Sequence, residues 1–131
     1  MNTSYNYNKA KNQLKRKQEA KQRGVDGEQK AVDYLISKNY KILHRNWRTK
    51  RGEIDIIATD NEYTVFIEVK TRAGNEYGTP SEAVDRKKQE KYFKVAQYYL
   101  QREKKIDTPC RFDVVEIEKG EINHIFDAFS M

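Results

Sequence analysis

GEIDIIATDNEYTVFIEVKTR, residues 52–72, reads as two β-strands joined by a tight turn. Residues 53–59 and 63–72 are rich in β-branched and aromatic side chains, and Asp60-Asn61-Glu62 between them is a turn signal. Side chains alternate along a strand. Glu53, Asp55 and Ile57 are therefore expected on one face and Ile54, Ile56 and Ala58 on the other. In the second strand Phe66, Glu68 and Lys70 stand opposite Val65, Ile67 and Val69. One face of the hairpin is apolar and suited to a core; the other sets ionisable groups among hydrophobic ones.

A two-residue turn at Asn61 and Glu62 pairs Asp60 with Tyr63, Asp55 with Glu68 and Glu53 with Lys70. A four-residue turn about the same centre keeps that register. The two carboxylates then start from Cα atoms about 4.5–5.5 Å apart. Carboxylates this close repel, so one takes up a proton or a cation sits between them. Mg²⁺, which binds carboxylate oxygens at about 2.0–2.1 Å and keeps several waters, meets that need. Lys70 lies roughly 6.6 Å further along the strand on the same face. There it can orient an attacking water or offset charge on a phosphate, while a metal would lower the pKa of its bound water. The set describes phosphodiester hydrolysis. A solvated hairpin with a Glu53–Lys70 salt bridge accounts for the same spacing equally well.

Outward from the hairpin, Asp26 can cap a helix reaching to about Asn39, with Ala31, Val32, Leu35 and Ile36 on its buried stripe. A strand follows over 40–48, separated from the hairpin by Arg51-Gly52. Downstream, Gly74, Gly78 and Pro80 mark a loop over 73–80. A helix is expected over 81–104, burying Phe93, Ala96, Tyr99 and Leu100. Strands over 111–118 and 121–126 flank Lys119-Gly120. The order αβββαββ predicts an α/β fold: a mixed β-sheet of about five strands flanked by helices, the second helix serving as a crossover.

The chain has 131 residues, enough for one domain, and its hydrophobic residues (37%) are grouped rather than dispersed. The net charge of +6 lies wholly in residues 1–23, where Lys9, Lys11, Lys15, Arg16, Lys17, Lys21 and Arg23 face Glu19 alone. That stretch reads as a basic flexible N-terminal arm, and residues 24–131 as a single domain. The arm is either a phosphate-contacting segment, with Tyr5 and Tyr7 as stacking candidates, or a solvated tail. Overall basicity gives no argument for the domain itself. Cys110 is the single cysteine, which excludes an internal disulfide and a cysteine-based zinc site. No stretch approaches transmembrane length, and no apolar run follows the N-terminal charges. A cytoplasmic setting without membrane is expected.

Several blocks together carry a resemblance. They are Gly24, Gly27, Glu28 and Ala31; Asn46-Trp47-Arg48; GEIDIIA at 52–58; FIEVKTR at 66–72; YGTPSEAV at 77–84; Lys88-Gln89; and FDVV at 112–115. In this order they resemble the YraN family of small bacterial proteins, within the restriction-endonuclease-like, PD-(D/E)xK nuclease superfamily. Ile54 stands where the motif name has proline, and the N-terminal arm lies outside the blocks. The resemblance implies a restriction-endonuclease-like fold in which Asp55 and Glu68 bind the metal with the Val69 carbonyl, and Lys70 is catalytic. It also implies that Glu28, on the first helix, reaches the same site, as a helical glutamate does in Holliday-junction resolvases. A solvated first-turn acid favoured by the helix dipole explains Glu28 as well.

Other residues are candidates for contact with nucleic acid: Arg48 by charge, Arg72 past Lys70 on the same face, Lys88 among the lysines opening the second helix, and Gln89 by resemblance alone. Glu53 is read as a supporting partner of Lys70 or as a salt-bridging strand residue, and Trp47 as a core anchor or, beside Arg48, a stacking contact for nucleic acid. Asp113 is assigned a capping or sheet-edge part, and His44 and His124 stand isolated. The expected function is a Mg²⁺- or Mn²⁺-dependent endonuclease hydrolysing phosphodiester bonds in DNA, with branched or recombination intermediates as the substrate and a homodimer as the assembly by analogy with resolvases. The rival is a non-catalytic nucleic-acid-binding module with a nuclease-like fold; a protein-interaction adaptor using the hairpin is a third reading.

Overall fold

The computed structural model describes residues 3–72 and 85–130. The expected loop over 73–80 and the block at 77–84 lie outside the described residues. The elements are α1 (Thr3–Ser37), β1 (Lys41–Thr49), β2 (Gly52–Thr59), β3 (Thr64–Arg72), α2 (Arg86–Arg102), β4 (Cys110–Glu118) and β5 (Glu121–Phe129). The order is the expected αβββαββ. One five-stranded sheet runs β1-β2-β3-β4-β5, with β3 and β4 parallel and every other pair antiparallel. Joining two parallel neighbours requires a crossover, and α2 lies between them in sequence. This is an α/β mixed sheet with two helices, consistent with a restriction-endonuclease-like fold.

Both faces of the sheet are covered. Against one, Ala31, Val32 and Leu35 of α1 pack on Ile56, Ala58, Val65, Ile67, Val115 and Ile117. Against the other, Tyr92, Val95, Ala96, Tyr99 and Leu100 of α2 pack on Ile54, Ile57, Phe66, Phe112 and Val114. Ile36, expected on the buried stripe, is exposed: it lies about 100° round the helix from the fully buried Leu35 and outside the contact that Ala31, Val32 and Leu35 make. Ile54 also departs from simple alternation: it packs with Ile57 rather than with Ile56. Its partner Trp47 follows Asn46, which adopts a left-handed φ of 51°, and the two paired strands turn over together at Asn46 and Asp55.

The hairpin register is the expected one where the ladder runs: Ile56 with Ile67, Ile57 with Phe66, Ala58 with Val65 and Thr59 with Thr64. Asp60 Oδ1 accepts from the Glu62 and Tyr63 N–H groups (3.1 and 2.7 Å), closing the turn. In α2, Asp85 has extended backbone and its side chain accepts from Lys88 N–H, so α2 begins at Arg86; the expected start at Ser81 lies outside the described residues.

The largest difference is at the N-terminus. Residues 3–37 form one helix, so the backbone of the arm is helical and neither Gly24 nor Asp26 starts a new element. A helix-interior glycine costs about 1 kcal/mol, which delays a helix but does not stop one. Gly27 has a packing role instead. A Cβ there would overlap Thr71 Oγ1 on β3. Gly27→Ala should therefore destabilise the protein by about 1–3 kcal/mol, although helix propensity alone predicts the opposite sign. Urea unfolding of Gly27→Ala, Thr71→Ala and the double variant tests this: the double variant should recover most of the loss. A stabilised single variant would refute the close approach.

A second polar centre ties the sheet near the β2–β3 turn. Asp113, fully buried on β4, accepts from Arg111 Nε (3.1 and 3.2 Å) and Asp127 N–H (2.9 Å) and contacts His124 Nε2 (2.7 Å). His124 Nδ1 meets the Tyr34 hydroxyl of α1 at 3.0 Å. Arg111 also reaches Asp60 (2.8 Å) and the Tyr40 hydroxyl, with the rings of Tyr40, Tyr63 and Phe126 around its guanidinium. Asp113 is thus an interior anchor on a strand paired on both sides, not a cap or an edge residue, and His124 is not isolated. Among the described residues, no helix is long and apolar enough to cross a membrane.

Candidate active site

The β2–β3 ladder stops at Ile56 and Ile67, and the side chain of Asp55 takes over where main-chain pairing ends. The Val69 N–H donates to Asp55 Oδ2 at 2.9 Å. A carboxylate has replaced a carbonyl as the acceptor. The strands part around it, and Asp55 becomes accessible from both sides of the sheet. On the α2 side a pocket of about 530 Å³ is lined by Glu53, Asp55, Glu68, Lys87, Lys88 and Lys91, among others. On the α1 side a second pocket of about 530 Å³ is lined by Lys21, Arg23, Glu28, Asn46, Arg48, Glu53, Asp55 and Val69, among others. Asp55 and Glu53 belong to both.

Glu68 is buried on β3, and two ammonium groups meet its Oε1: Lys88 Nζ at 2.8 Å and Lys70 Nζ at 3.4 Å. The Asp55 carboxyl is raised from an ordinary 3.8 to about 8, the net of several causes of which burial is the largest. The Glu68 charge also raises it, the Val69 N–H opposes this, and a hydrogen bond with Glu68 and the charge of Glu28 add to it. Lys88 is raised as well: burial works against its charge, but the hydrogen bond and charge of Glu68 prevail, with Asp55 adding to them. Glu28 is held by Asn46 Nδ2 (2.8 Å), with Arg45 Nε at 3.7 Å. It faces the site from α1 and acts on Asp55 through its charge.

The fold therefore brings Asp55, Glu68, Lys70, Val69 and Lys88 together, and sets Glu28 on the other side of Asp55, in the α1-side pocket. Lys88 stands closer to the chemistry than its sequence reading as a backbone contact implied. Two other residues are placed differently. Glu53 pairs with Arg48 (2.6 Å) rather than with Lys70, because the strands part before that cross-strand pair can form. Arg48 keeps most of its side chain in solvent. Arg72 is buried against Glu116 of β4 at 2.7 Å, which removes it from the phosphate-binding set. Gln89 lies in the first turns of α2, half-buried, its N–H on the Asp85 carbonyl. Trp47 is an anchor, set edge-on against Tyr99 at 5.2 Å. Asn46, which holds Glu28, belongs to one of the resemblance blocks but carried no assigned role, and Arg45 gave no sequence signal. The Asp113–His124 contact was legible in part: the Lys119-Gly120 turn sets His124 opposite Val115, diagonal to Asp113.

Two carboxylates in one pocket are the donor chemistry of a hard divalent cation. Among the described residues no three His, Cys, Asp or Glu groups gather closely enough to hold a metal, so further ligands would be main-chain carbonyl or water oxygens.

Comparison with known proteins adds relatives. The family model described as "Uncharacterised protein family UPF0102" matches residues 27–117. A UPF0102 protein of Thermodesulfovibrio yellowstonii is 49% identical over 106 residues, covering 81% of this chain and 94% of its own. One of Clostridioides difficile is 48% identical over 111 residues, covering 83% and 97%. One of Alkaliphilus oremlandii is 51% identical over 112 residues, covering 81% and 96%. The matched span contains Glu28, Asp55, Glu68, Lys70 and Lys88; residues before Gly27 lie outside it.

Proposed function

The chain belongs to the UPF0102 (YraN) family, and on that basis and on the geometry around Asp55 we propose that it is a metal-dependent endonuclease acting on DNA. The observation that carries the reading is the pairing of Asp55 with Glu68 in one pocket, with two lysines on Glu68. Asp55 and Glu68 would hold Mg²⁺ or Mn²⁺. The Val69 carbonyl is a suitable further donor, since the N–H of the same residue points to Asp55 and the two groups of an extended residue point to one edge. When bound, such an ion lowers the pKa of a coordinated water and polarises a phosphoryl oxygen.

The rest falls to the chain's own groups. Lys70 and Lys88 hold Glu68, and Lys88, in the wall of the α2-side pocket, offers positive charge to a phosphate entering it. Lys70 is the better placed to orient an attacking water, being half-buried on the strand that carries Glu68. Glu28 lowers the potential at Asp55 from the other side of the sheet. Branched DNA as substrate and a homodimer as the working assembly remain the choices suggested by the resolvase analogy.

One observation favours a second reading. Lys88 already neutralises Glu68 at 2.8 Å, as it would in a nuclease-like module that binds nucleic acid without cutting it. A panel of single-stranded, duplex and four-way-junction DNA, incubated with Mg²⁺, Mn²⁺ or EDTA, separates the two. Metal-dependent cutting that is lost in Lys70→Ala supports the nuclease. Binding without cutting under every condition would overturn it in favour of the module.

A further inference from the structure

Beside the acidic pocket, α2 carries Lys87, Lys91, Lys94 and Tyr98 at spacings of four, three and four, one exposed stripe of the helix. Lys87 and Lys91 line the pocket that contains Asp55 and Glu68. Lys91 and Lys94 share a hollow of about 310 Å³ with Arg51. Lys94 and Tyr98 then line, with Trp47 and Arg51 among others, a pocket of about 590 Å³ with no acidic residue in its wall among the described residues. Among the described residues no ion pair engages Lys87, Lys91, Lys94 or Arg51. The domain is neutral overall, yet this face is a continuous run of unneutralised cations leading out of the acidic site.

The run ends on aromatic surface. Tyr98 is 50% exposed, and its ring lies 6.0 Å from that of Trp47 with the planes 37° apart. Trp47 is braced from behind by Tyr99, so the pair forms a stiff wall. The eleven steps from Lys87 to Tyr98 rise roughly 16 Å along the helix, the reach of a few nucleotides. Cations in file call for a phosphate backbone, and an exposed ring at their end calls for the face of a base. Bases in a duplex have their faces covered by their neighbours; only an unpaired base has one to offer.

We propose that this face binds an unpaired strand of nucleic acid, its phosphates along Lys87, Lys91 and Lys94 and a base stacked at Tyr98 and Trp47. The substrate of the site is then a single strand, or a duplex with an unpaired segment. What happens to the phosphodiester rests on the nuclease reading; the binding does not.

Trp47 is the chain's single tryptophan, so a base entering the pocket reports itself as fluorescence quenching. The full chain is titrated in EDTA with a twelve-nucleotide oligothymidylate and with a blunt duplex of the same length at matched salt. The single strand should quench saturably and bind about 10-fold or more tightly than the duplex. Tyr98→Ala should weaken single-strand binding by about 10-fold, while Tyr98→Phe keeps it. Lys91→Gln with Lys94→Gln should flatten the salt dependence by about 1.4 log units, at roughly 0.7 per contact. Circular dichroism and urea midpoints establish that each variant is folded. Equal affinity for the duplex, or unchanged affinity in folded Tyr98→Ala, overturns the proposal whether or not the protein cuts DNA. Single-strand binding as described, without cutting in any metal, supports it and overturns the nuclease reading instead.

Discussion

Asp55→Asn is expected to yield a metal-free protein more stable than the wild type, unresponsive to Mg²⁺, and slower in DNA cleavage by about 10³-fold. The stability part follows from linkage. The Asp55 carboxyl is raised to about 8 in the folded protein, against 3.8 ordinarily. Between these values the unfolded chain has lost the proton while the folded one keeps it. The folded state binds more protons, so stability falls as pH rises from about 4 to 8 and is level above that. Each unit of displacement is worth about 1.4 kcal/mol. Asparagine does not ionise, so the variant lacks this burden, and its Tm advantage should widen from pH 5 to pH 8. The Val69 N–H keeps an acceptor in the amide oxygen.

A divalent ion acts on the same balance in the wild type. At about 100 times its dissociation constant, Mg²⁺ or Mn²⁺ would add roughly 2.7 kcal/mol and displace the Asp55 proton. Thermal melts at pH 5, 6.5 and 8, with and without metal, read both effects. A variant whose Tm still climbs with Mg²⁺ would sink the assignment of Asp55 as a metal ligand. One whose advantage does not grow with pH would sink the shifted carboxyl.

The second large effect lies away from the site. Asp113→Ala should cost about 3–5 kcal/mol, because it leaves Arg111 and His124 buried without their shared acceptor. The Asp127 N–H loses its partner as well. Arg111 is raised above its ordinary value: burial opposes its charge, and hydrogen bonds to Asp60 and Asp113 outweigh it. Taking away Asp113 therefore exposes a full desolvation penalty rather than one hydrogen bond. For a domain whose total stability is of order 5–15 kcal/mol, the variant should melt far below the wild type. Asp113→Asn, which keeps one acceptor, should fall between them. Urea unfolding measures all three; a loss under 1 kcal/mol for the alanine variant would show that Arg111 finds its charge partner in Asp60 alone.

The hairpin was readable because its turn chemistry and its alternation agree. Asp60 and Asn61 fix the centre, and the β-branched runs leave one register that buries them. The parting of the strands at Asp55 was not readable, since alternation assumes that a ladder continues. It stops because a side chain competes successfully for the Val69 N–H. That single competition explains both misjudged partners: Glu53 turns to Arg48, and Lys70 turns to Glu68. Arg72 was misjudged for another reason, its burial depending on Glu116 of a strand more than forty residues away, about which local pattern says nothing. Charge was the third case. A domain with no net charge still gathers cations on one face, because a sum over sequence carries no information about direction.

The unbroken course of α1 makes phase, not distance, the quantity that matters on the N-terminal side. Residues 3–37 turn as one screw of about 52 Å, and Gly27 seats that screw against Thr71 at a single angle. Lengthening it by one residue between Arg23 and Gly27 would swing everything upstream through about 100°, carrying Lys21 and Arg23 away from the pocket they line. Lengthening it by seven would bring them almost back into line, one step further out. A change of two turns thus keeps the face and shifts the distance, whereas a change of one residue loses the face at once.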